Sequence, residues 1–322
     1  MIPMMDGSGL KFGVHSPPEG KDFKTMKNLC QTAERIGYDL FTVTDHFMNM
    51  ANPAGPSNHP LESWSVLAGL AAVTNRISLG PLVCCANYRH PTVLAKIATT
   101  VDIISEGRLV FGIGAGWHET EFERFLGRFP TAKERLDGLE DAVQICRSMF
   151  THKYTEFSGK IYSAKEALNS PNPVQKSIPI MIGGSGEKRT LKIAAKYADI
   201  VHLSGGPSAQ EVQHKLDVLR SHCSHLKRNF SDIRIATGFT PILDESASNI
   251  RAQAERIAAI RFQGQISAVE AEKIVLKTTG PKNILATIKE YQRLGVTAIT
   301  MNSLGLEEMK SIKDQILSKL NH

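Results

Sequence analysis

The feature that most constrains the fold is a repeated unit of strand, loop, amphipathic helix and short glycine turn. It is clearest around Gly37, Gly107 and Gly295, where a glycine follows a helix and strand-forming residues begin at once. Glycine suits this position because the chain turns left-handed at the end of a helix. The helices have apolar residues at three- and four-residue spacing, as over 23–33.

Eight segments are predicted to be strands, because they are short, rich in strand-forming residues and bounded by turn signals. They are Lys11–His15, Leu40–Thr44, Ile77–Val83, Leu109–Ile113, Ile178–Ile182, Ile200–Leu203, Ile233–Gly238 and Val296–Met301. Eight strands that alternate with helices favour a closed α/β fold, the (β/α)8 TIM barrel, over a doubly wound sheet. The 322 residues are then expected to form a single domain.

Two insertions interrupt the repeat, at about 151–177 and 243–280. The first precedes strand five and is interpreted as an irregular segment with a short hairpin. The second follows strand seven, with a polar start and a later helical pattern. Neither carries a separate repeat, so both are interpreted as additions to the barrel.

The strand-to-helix connections are long and rich in Gly, Pro, His and Trp, whereas the helix-to-strand turns have two or three residues. The long connections cover 46–60, 114–130 and 183–186. In a barrel all such loops emerge at one rim, where ligand sites form. The sequence therefore predicts that these segments converge on one mouth.

The first glycine cluster is Gly112–Trp117, with the spacing G-x-G-x-G. A dinucleotide fingerprint is rejected, because its third glycine position holds Trp117 and no helix is expected for about a dozen residues. Two interpretations stay open at this point. The rim needs small residues here, or the exposed backbone N–H groups hold an anion.

The second glycine cluster, Gly183–Gly186, directly follows strand five and precedes the helix that contains Leu191. Free N–H groups at a helix start, with no Cβ in the way, can bind a phosphate. The alternative is a flexible turn with Ser185 as the helix N-cap. Two such loops on one rim favour a shared phosphate site.

Asp45 and His46 end strand two, where barrel side chains point into the mouth. Although a lone histidine is most often structural, His46 is a candidate proton carrier because it lies at a strand end directly after Asp45. His15 ends strand one in a similar way and is predicted to line the substrate pocket. Trp64 and Trp117 could wall a pocket for a ring or pack as lids.

Composition excludes several classes of function. The formal net charge is +6, yet basic and acidic residues are interspersed, so no nucleic-acid stripe is predicted. The longest apolar runs are strand-sized, and the first residues lack a signal-peptide pattern. The five cysteines form no C-x-x-C, which suits a reducing cytoplasm, and without zinc motifs or carboxylate clusters no metal is expected.

Several of these stretches together resemble the luciferase-like monooxygenase superfamily, in particular its branch of F420-dependent oxidoreductases. The resemblance covers nearly the whole chain, from about Leu10 to the last helix. Its stretches are Gly37–Asp39, Val43–Phe47, Glu62–Trp64, Arg76–Gly80, Tyr88–Pro91, Asp102–Arg108, Gly112–Trp117, Pro179–Gly184, Thr279–Pro281 and Leu294–Val296.

The resemblance implies a (β/α)8 barrel in which the ring of coenzyme F420 lies over the end of strand three. It implies a non-proline cis peptide at Leu82-Val83, a phosphate held by the two glycine loops, and His46, with Asp45, as the catalytic group near the ring. The implied coenzyme-binding residues are Leu82, Val83, Cys84, Cys85, Gly114, Ala115, Gly116, Trp117, His118, Gly183, Gly184, Ser185 and Gly186. Similar proteins are commonly homodimers.

One position departs from the family pattern. The sugar-phosphate dehydrogenases of this superfamily place an acidic glutamate at the end of the G-x-G-x-G loop, where this chain has Trp117. A phosphorylated sugar is therefore disfavoured as the substrate. The expected activity is hydride transfer between F420 and a small organic molecule, with an FMN-dependent monooxygenase and a non-catalytic flavin-binding protein as alternatives.

Overall fold

The computed structural model describes residues 9–50, 58–204, 206, 208–260, 266–302 and 304–320. Within them the strands are β1 (Lys11–His15), β2 (Leu40–Val43), β3 (Ser78–Pro81), β4 (Cys84–Cys85), β5 (Phe111–Gly114), β6 (Tyr154–Ser158), β7 (Ser163–Leu168), β8 (Ile180–Gly183), β9 (Ile200–Leu203), β10 (Arg234–Phe239) and β11 (Ala298–Asn302). All except β6 and β7 form one sheet with parallel pairing.

The strand order in this sheet is β3-β2-β1-β11-β10-β9-β8-β5-β4, so its two ends are consecutive pieces of one interrupted strand. Leu79 of β3 also forms a parallel bridge with Leu109, just before β5. The Leu79 N–H donates to the Arg108 carbonyl at 3.1 Å, and the Val110 N–H donates to the Leu79 carbonyl at 2.8 Å. These bonds close the sheet, and the predicted barrel is confirmed.

The third barrel strand differs from the prediction, which had it continuous over Ile77–Val83. The structure divides it into β3 and β4 around a cis peptide at Leu82-Val83, at the position that the resemblance implied. The backbone bulges at this point. Strand β3 pairs with β2 as far as Pro81, and β4 pairs with β5 from Cys84 onward.

Eleven helices are present in the described part of the chain, and most cover the outside of the barrel. They are α1 (Phe23–Ile36), α2 (Ser63–Ala72), α3 (Pro91–Ile104), α4 (Glu119–Leu126), α5 (Ala132–Thr151), α6 (Thr190–Tyr197), α7 (Ala209–His225), α8 (Ala247–Ile260), α9 (Ala268–Leu276), α10 (Gly280–Arg293) and α11 (Leu306–Gln315). No helix among these residues is long and apolar enough to cross a membrane.

Helix α4 corrects the sequence prediction, which placed no helix until about a dozen residues after the first glycine cluster. It begins at Glu119, only three residues beyond Gly116. Its N-cap is His118, whose Nδ1 accepts from the Glu121 N–H, and its end is a left-handed Gly127. A histidine cap is uncommon, since oxygen side chains are preferred there, and the charged run was therefore interpreted as a loop.

Both insertions contain regular secondary structure. The strands β6 and β7 pair as an antiparallel hairpin, which confirms the short hairpin expected there. The buried carboxylate of Asp141 on α5 accepts from the N–H groups of Ile161 and Tyr162, and so anchors the hairpin turn. In the second insertion, α8 and α9 pack together around a small apolar cluster of their own.

The barrel interior changes character along its axis. A lower layer is apolar and consists of Leu40, Val110, Met181, Ile200, Ala236 and Ala298. The layer nearer the carboxyl ends is polar. Thr42, His202 and Thr300 lie two residues beyond Leu40, Ile200 and Ala298, and His15 ends the neighbouring β1. Since side chains alternate along a strand, both layers point inward. The mouth of the barrel therefore has a polar floor on this side.

Arg108, which is 6% exposed, is expected to be a large contributor to stability. Its guanidinium donates to the carbonyls of Ala71, Thr74, Ile77 and Ser105 at 2.7–2.9 Å. An Arg108→Leu substitution leaves these carbonyls without their donor, and we expect the free energy of unfolding to fall by about 3 kcal/mol.

Urea denaturation followed by circular dichroism measures this change. The exposed Arg293 on α10 provides the matched control, since Arg293→Leu is expected to stay within about 0.5 kcal/mol of the parent. Equal stability of the two variants would show that the carbonyls find other partners.

Candidate active site at the barrel mouth

Three of the predicted segments meet at one rim. Asp45 and His46 follow β2, the stretch 115–118 follows β5, and 184–186 follows β8. These strands are parallel, so their carboxyl ends lie on the same side of the barrel. Residues 51–57 of the loop after β2 lie outside the described residues. The other segments confirm the predicted convergence.

The bulge at Leu82-Val83 rests between two of the predicted glycines. A Cβ at Gly114 would lie 2.7 Å from Val83 Cγ2, and a Cβ at Gly183 would lie 2.7 Å from Val83 Cγ1. Only glycine leaves room for the valine on both sides. Packing against Val83 therefore requires glycine at both positions, which for Gly114 is the first of the two interpretations left open by the sequence.

The loop after β8 has the features of an anion site. Gly184 adopts a φ of +126°, and its N–H donates to the His202 carbonyl at 3.1 Å. Within the described residues, the next two N–H groups, of Ser185 and Gly186, have no hydrogen-bond acceptor. Helix α6 begins at Thr190 with Arg189 as its N-cap, so the interpretation of Ser185 as the cap was wrong.

A cluster of cations lies next to this loop. Arg189 Nη2 lies 2.6 Å from Asp137 Oδ1, and Lys133 and Lys160 contact the same carboxylate at 3.0 and 3.2 Å. Asp137 is buried, and although burial opposes ionisation, the bonds from the three cations lower the pKa of its carboxyl group well below its usual range. One carboxylate faces three cations, so the cluster keeps an excess of positive charge.

Asp45 has a different role from the one predicted. Its two carboxylate oxygens accept from Arg89 Nη1 and Nη2 at 2.8 and 3.0 Å, and Oδ2 also accepts from the Cys85 N–H at 3.2 Å. Arg89 in turn reaches Glu62 at 2.7 Å. Burial disfavours the charged guanidinium, but the bonds to Asp45 outweigh it and raise the pKa of Arg89. Asp45 therefore holds the end of β2 to β4.

His46 is paired with a carboxylate that the sequence analysis missed. Its Nδ1 lies 2.8 Å from Oε2 of Glu121, a residue of α4 that is fully buried. The same Oε2 accepts from the Tyr88 hydroxyl at 2.6 Å, while Oε1 accepts from the N–H groups of Phe47 and Met48 at 2.7 and 3.0 Å. Each carboxylate oxygen of Glu121 thus has two hydrogen-bond donors.

This network sets the charge of His46. Burial favours the neutral imidazole, but the hydrogen bond and the negative charge of Glu121 outweigh it, so the pKa of His46 is raised above its ordinary value. Burial likewise disfavours the charged carboxylate, yet the bond from His46 lowers the pKa of Glu121. With Nδ1 engaged by Glu121, Nε2 is the atom of His46 that is available to donate a proton.

The aromatic residues divide between mouth and core. The Trp117 ring lies edge-on to His46 at 5.8 Å between centroids and is 45% exposed, and the His118 ring lies 6.3 Å from His46. Trp64 was predicted to line the pocket, but it is 2% exposed and packs against Phe111. Its helix α2 is apolar on nearly all sides and is buried against the barrel, which places Trp64 in the core.

His15 lies in the mouth, where the sequence predicts it. It lines a cavity of about 1050 Å³ that continues past Asn302 and Phe239 toward α7 and α10. A second histidine, His202, is nearly buried on β9, with Nε2 lying 3.1 Å from Thr300 Oγ1. The sequence analysis did not single out His202, because it lies within a strand and carries no motif.

The fold and this rim define a barrel with a ligand site at the carboxyl ends of its strands, the position that barrel enzymes use for catalysis. The family model for luciferase-like monooxygenases matches residues 8–309. The chain belongs to this family, and its relatives are oxidoreductases.

Among the similar sequences, an F420-dependent glucose-6-phosphate dehydrogenase of Microbacterium testaceum is 25% identical over 97% of both chains. The pyrimidine monooxygenase RutA of Allorhizobium ampelinum is 31% identical over 62% of this chain and 54% of its own length. The chain therefore spans about half the length of that monooxygenase and almost all of the dehydrogenase.

Solved structures agree on the fold. An F420-dependent secondary alcohol dehydrogenase in complex with an F420-acetone adduct superposes with a TM-score of 0.84 and 16% identity, over 97% of this chain and 99% of that one. The coenzyme F420-dependent tetrahydromethanopterin reductase of Methanopyrus kandleri superposes with a TM-score of 0.78 and 18% identity, over 97% and 99%. Both likenesses concern the barrel as a whole.

Proposed function

We propose that this protein transfers a hydride between coenzyme F420 and a small organic molecule. The observation that carries the proposal is the His46–Glu121 pair beside the bulge at Leu82-Val83. A histidine with a raised pKa can protonate an oxygen or nitrogen atom as hydride reaches the adjacent carbon, and in the reverse direction its neutral form accepts that proton. The glycines that flank Val83 carry no side chains, so they leave backbone that a ring could approach.

The residues of the mouth fit such a coenzyme. The backbone of Leu82–Cys85 would support the ring, the stretch 114–118 would border it, and the free N–H groups of Ser185 and Gly186 would bind its phosphate. When bound, the coenzyme supplies a ring carbon that carries the hydride. The protein supplies orientation, and His46 supplies a proton at Nε2.

The cation cluster around Asp137 favours F420 over FMN. F420 carries an acidic oligoglutamate tail beyond its phosphate, whereas FMN ends at the phosphate. Arg189 directly follows the loop that would hold the phosphate, and with Lys133 and Lys160 it offers positive charge where such a tail would leave the mouth. Two similar proteins named above as F420-dependent support the same choice.

FMN is the alternative coenzyme, since a riboflavin lyase solved with a modified FMN shares the fold at a TM-score of 0.79 and 11% identity. Titration of the protein with F420 and with FMN, followed by fluorescence, decides between them. We expect F420 to bind at least about 10-fold more tightly at low salt, and the preference to shrink as salt screens the tail.

Reversal of one charge in the cluster provides a second test of the coenzyme preference. Lys160→Glu is expected to weaken F420 binding about 10-fold and to leave FMN binding unchanged, because only F420 extends a tail to the cluster. The exposed Lys24 on α1 gives the matched control, since Lys24→Glu changes the net charge equally. Tighter binding of FMN would favour the monooxygenase. Binding of either coenzyme without turnover on any of a broad set of small molecules would favour a non-catalytic flavin-binding protein.

The pH dependence of hydride transfer tests the His46–Glu121 pair. His46 is protonated below its pKa, which Glu121 raises, so the step that uses this proton is expected to persist to higher pH than a solvated histidine allows. In Glu121→Gln the carboxylate charge is lost while burial remains, so the pKa of His46 falls. The alkaline limb of the rate should therefore move to lower pH.

Single-turnover rates across the pH range measure this shift. Glu121→Asp, which keeps the charge, should restore part of the alkaline limb, whereas a purely structural role would leave both variants with the parental pH profile and a lower rate. An unmoved limb in Glu121→Gln would contradict the proposed role of the pair.

We also propose a homodimer. Val93 and Ile104 on the outer face of α3 are 54% and 39% exposed, although both are large and apolar. The neighbouring α2 presents small side chains, Ser65 and Ala72, which would permit close approach of a second copy. Light scattering should give twice the mass of the 322-residue chain, and Val93→Arg should reduce the measured mass to that of a single chain.

A further inference from the structure

His15 is a nearly enclosed polar residue for which the proposed proton transfer has no use. It ends β1 and is in register with Thr42 on β2 and Asn302 on β11. This row of three crosses the floor of the mouth, and both His15 and Asn302 line the cavity. Their arrangement therefore bears on what the cavity can bind.

The hydrogen bonds of Thr42 favour one tautomer of His15. The Thr42 hydroxyl lies 3.4 Å from the Val14 carbonyl, which can only accept, and 2.9 Å from His15 Nδ1. A hydroxyl proton directed at Val14 leaves Oγ1 as the acceptor of a proton on Nδ1. In this arrangement Nε2 of His15 presents a lone pair.

The surroundings keep His15 neutral. Burial is the largest influence and, with the positive fields of His202, His46 and Lys21, lowers the pKa of His15 to about 3. At neutral pH the ring is thus an acceptor at Nε2 and not a cation. Within the described residues, no donor satisfies this atom, so its partner has to come from the cavity.

We propose that His15 Nε2 and Asn302 bind a hydroxyl group of the substrate, with Nε2 accepting the hydroxyl proton and the Asn302 amide donating to the hydroxyl oxygen. A carboxylate or an ionised phosphate presents only lone pairs, and it would meet the lone pair of Nε2 without a hydrogen bond. The inference rests on the proposed function and narrows its substrate to the class of hydroxyl-bearing compounds.

The two histidines of the mouth are then complementary. His46 has Nδ1 bonded to Glu121 and a raised pKa, which leaves Nε2 as a donor, whereas His15 is neutral and, with its proton on Nδ1 toward Thr42, is an acceptor at Nε2. His46 also contributes to the lowered pKa of His15, which places both rings in one electrostatic environment. A substrate with a reacting oxygen near His46 and a hydroxyl at His15 would satisfy both groups.

The tautomer can be tested without turnover by long-range proton–nitrogen NMR on protein labelled at histidine with nitrogen-15. His15 is assigned by the signals lost in His15→Gln. From about pH 6 to about pH 8 its spectrum should show an unprotonated Nε2 and a protonated Nδ1. Added glycerol should shift the Nε2 signal, whereas acetate and inorganic phosphate should leave it in place.

Thr42→Val is the variant that examines the hydrogen-bond chain. It removes the acceptor of the Nδ1 proton, so we expect the proton to move to Nε2 and the response to glycerol to disappear. Thr237→Val is the matched control, because Thr237 is equally buried and its hydroxyl donates to the Leu203 carbonyl. A protonated Nε2 in the parent, or an acetate response equal to that of glycerol, would overturn the inference.

Kinetics form the second arm, with a panel of small hydroxyketones, each matched to the ketone that lacks the hydroxyl, and assayed with reduced F420. For any hydroxyketone that is reduced, His15→Phe should lower kcat/KM about 10- to 100-fold, mainly through KM, because the buried hydroxyl loses its acceptor, and the matched ketone should be unaffected. Activity confined to hydroxyl-free compounds would reject the inference and keep the proposed function. Absence of F420 binding would reject the proposed function and leave the NMR result intact.

Discussion

Replacement of His46 by alanine is expected to lower single-turnover hydride transfer by ~10²- to 10⁴-fold, the contribution of a positioned acid or base. The affinity for the coenzyme should stay within about threefold of the parent, since the proposed contacts to the coenzyme come from the bulge and the glycine loops. The Glu121 carboxylate, 2.8 Å from Nδ1, raises the pKa of His46 and leaves Nε2 as the ring nitrogen that can exchange a proton.

Stopped-flow absorbance at saturating coenzyme measures the rate, and fluorescence titration measures the affinity. His152→Ala serves as the control, because His152 is an exposed histidine that caps the far end of α5. His46→Gln should recover little of the rate, since a neutral amide cannot deliver a proton. Parental turnover in His46→Ala would make the histidine a wall of the pocket and assign the proton to water or to another residue.

The second large effect concerns the loop after β8. Gly184→Val is expected to raise the dissociation constant of the coenzyme about 10- to 100-fold, because the loss of one or two hydrogen bonds to a charged phosphate has this magnitude. Gly184 has a φ of +126°, and a Cβ there would lie 3.1 Å from Thr190 Cγ2 at the start of α6. A β-branched residue therefore has to reshape the loop that presents the N–H groups of Ser185 and Gly186.

Gly295→Val is the control for strain alone. Gly295 also has a positive φ, +91°, but it lies in a helix-to-strand turn, and a Cβ there would have no neighbour within 4 Å. It should reduce stability and leave the dissociation constant unchanged. At saturating coenzyme, hydride transfer in Gly184→Val should approach the parental rate. Parental affinity in Gly184→Val would move the phosphate site to another part of the rim.

The fold could be predicted because the residues that begin and end each helix are recognisable in the sequence. The left-handed glycines at 37, 107 and 295 end helices or their turns as expected, and the capping box of Thr131 and Glu134 begins α5. The interruption of the third strand has a local signal in Gly80-Pro81, which the prediction of an unbroken strand over 77–83 passed over. Only the resemblance to a family located it.

The site was less accessible to sequence reasoning, because its main pair joins residues 75 positions apart. His46 was identifiable from its place at a strand end. Glu121 was not, since a glutamate in a charged helix of eight residues usually faces solvent, and only the packing of α4 over the mouth buries it. The ion pair of Arg89 with Asp45 became evident from the structure, since the two residues are 44 positions apart.

Val83 has a consequence for how this protein can diversify. Its two methyl groups occupy the space above Gly114 and Gly183, so the side chains at these three positions share one fixed volume. A methyl group gained at either glycine requires one lost at Val83, and single substitutions at these sites are disfavoured while compensated pairs are tolerated. In descendants of this chain, the backbone around Val83 is therefore expected to change by coordinated exchanges across three strands, whereas the cavity beyond His15 can vary one residue at a time.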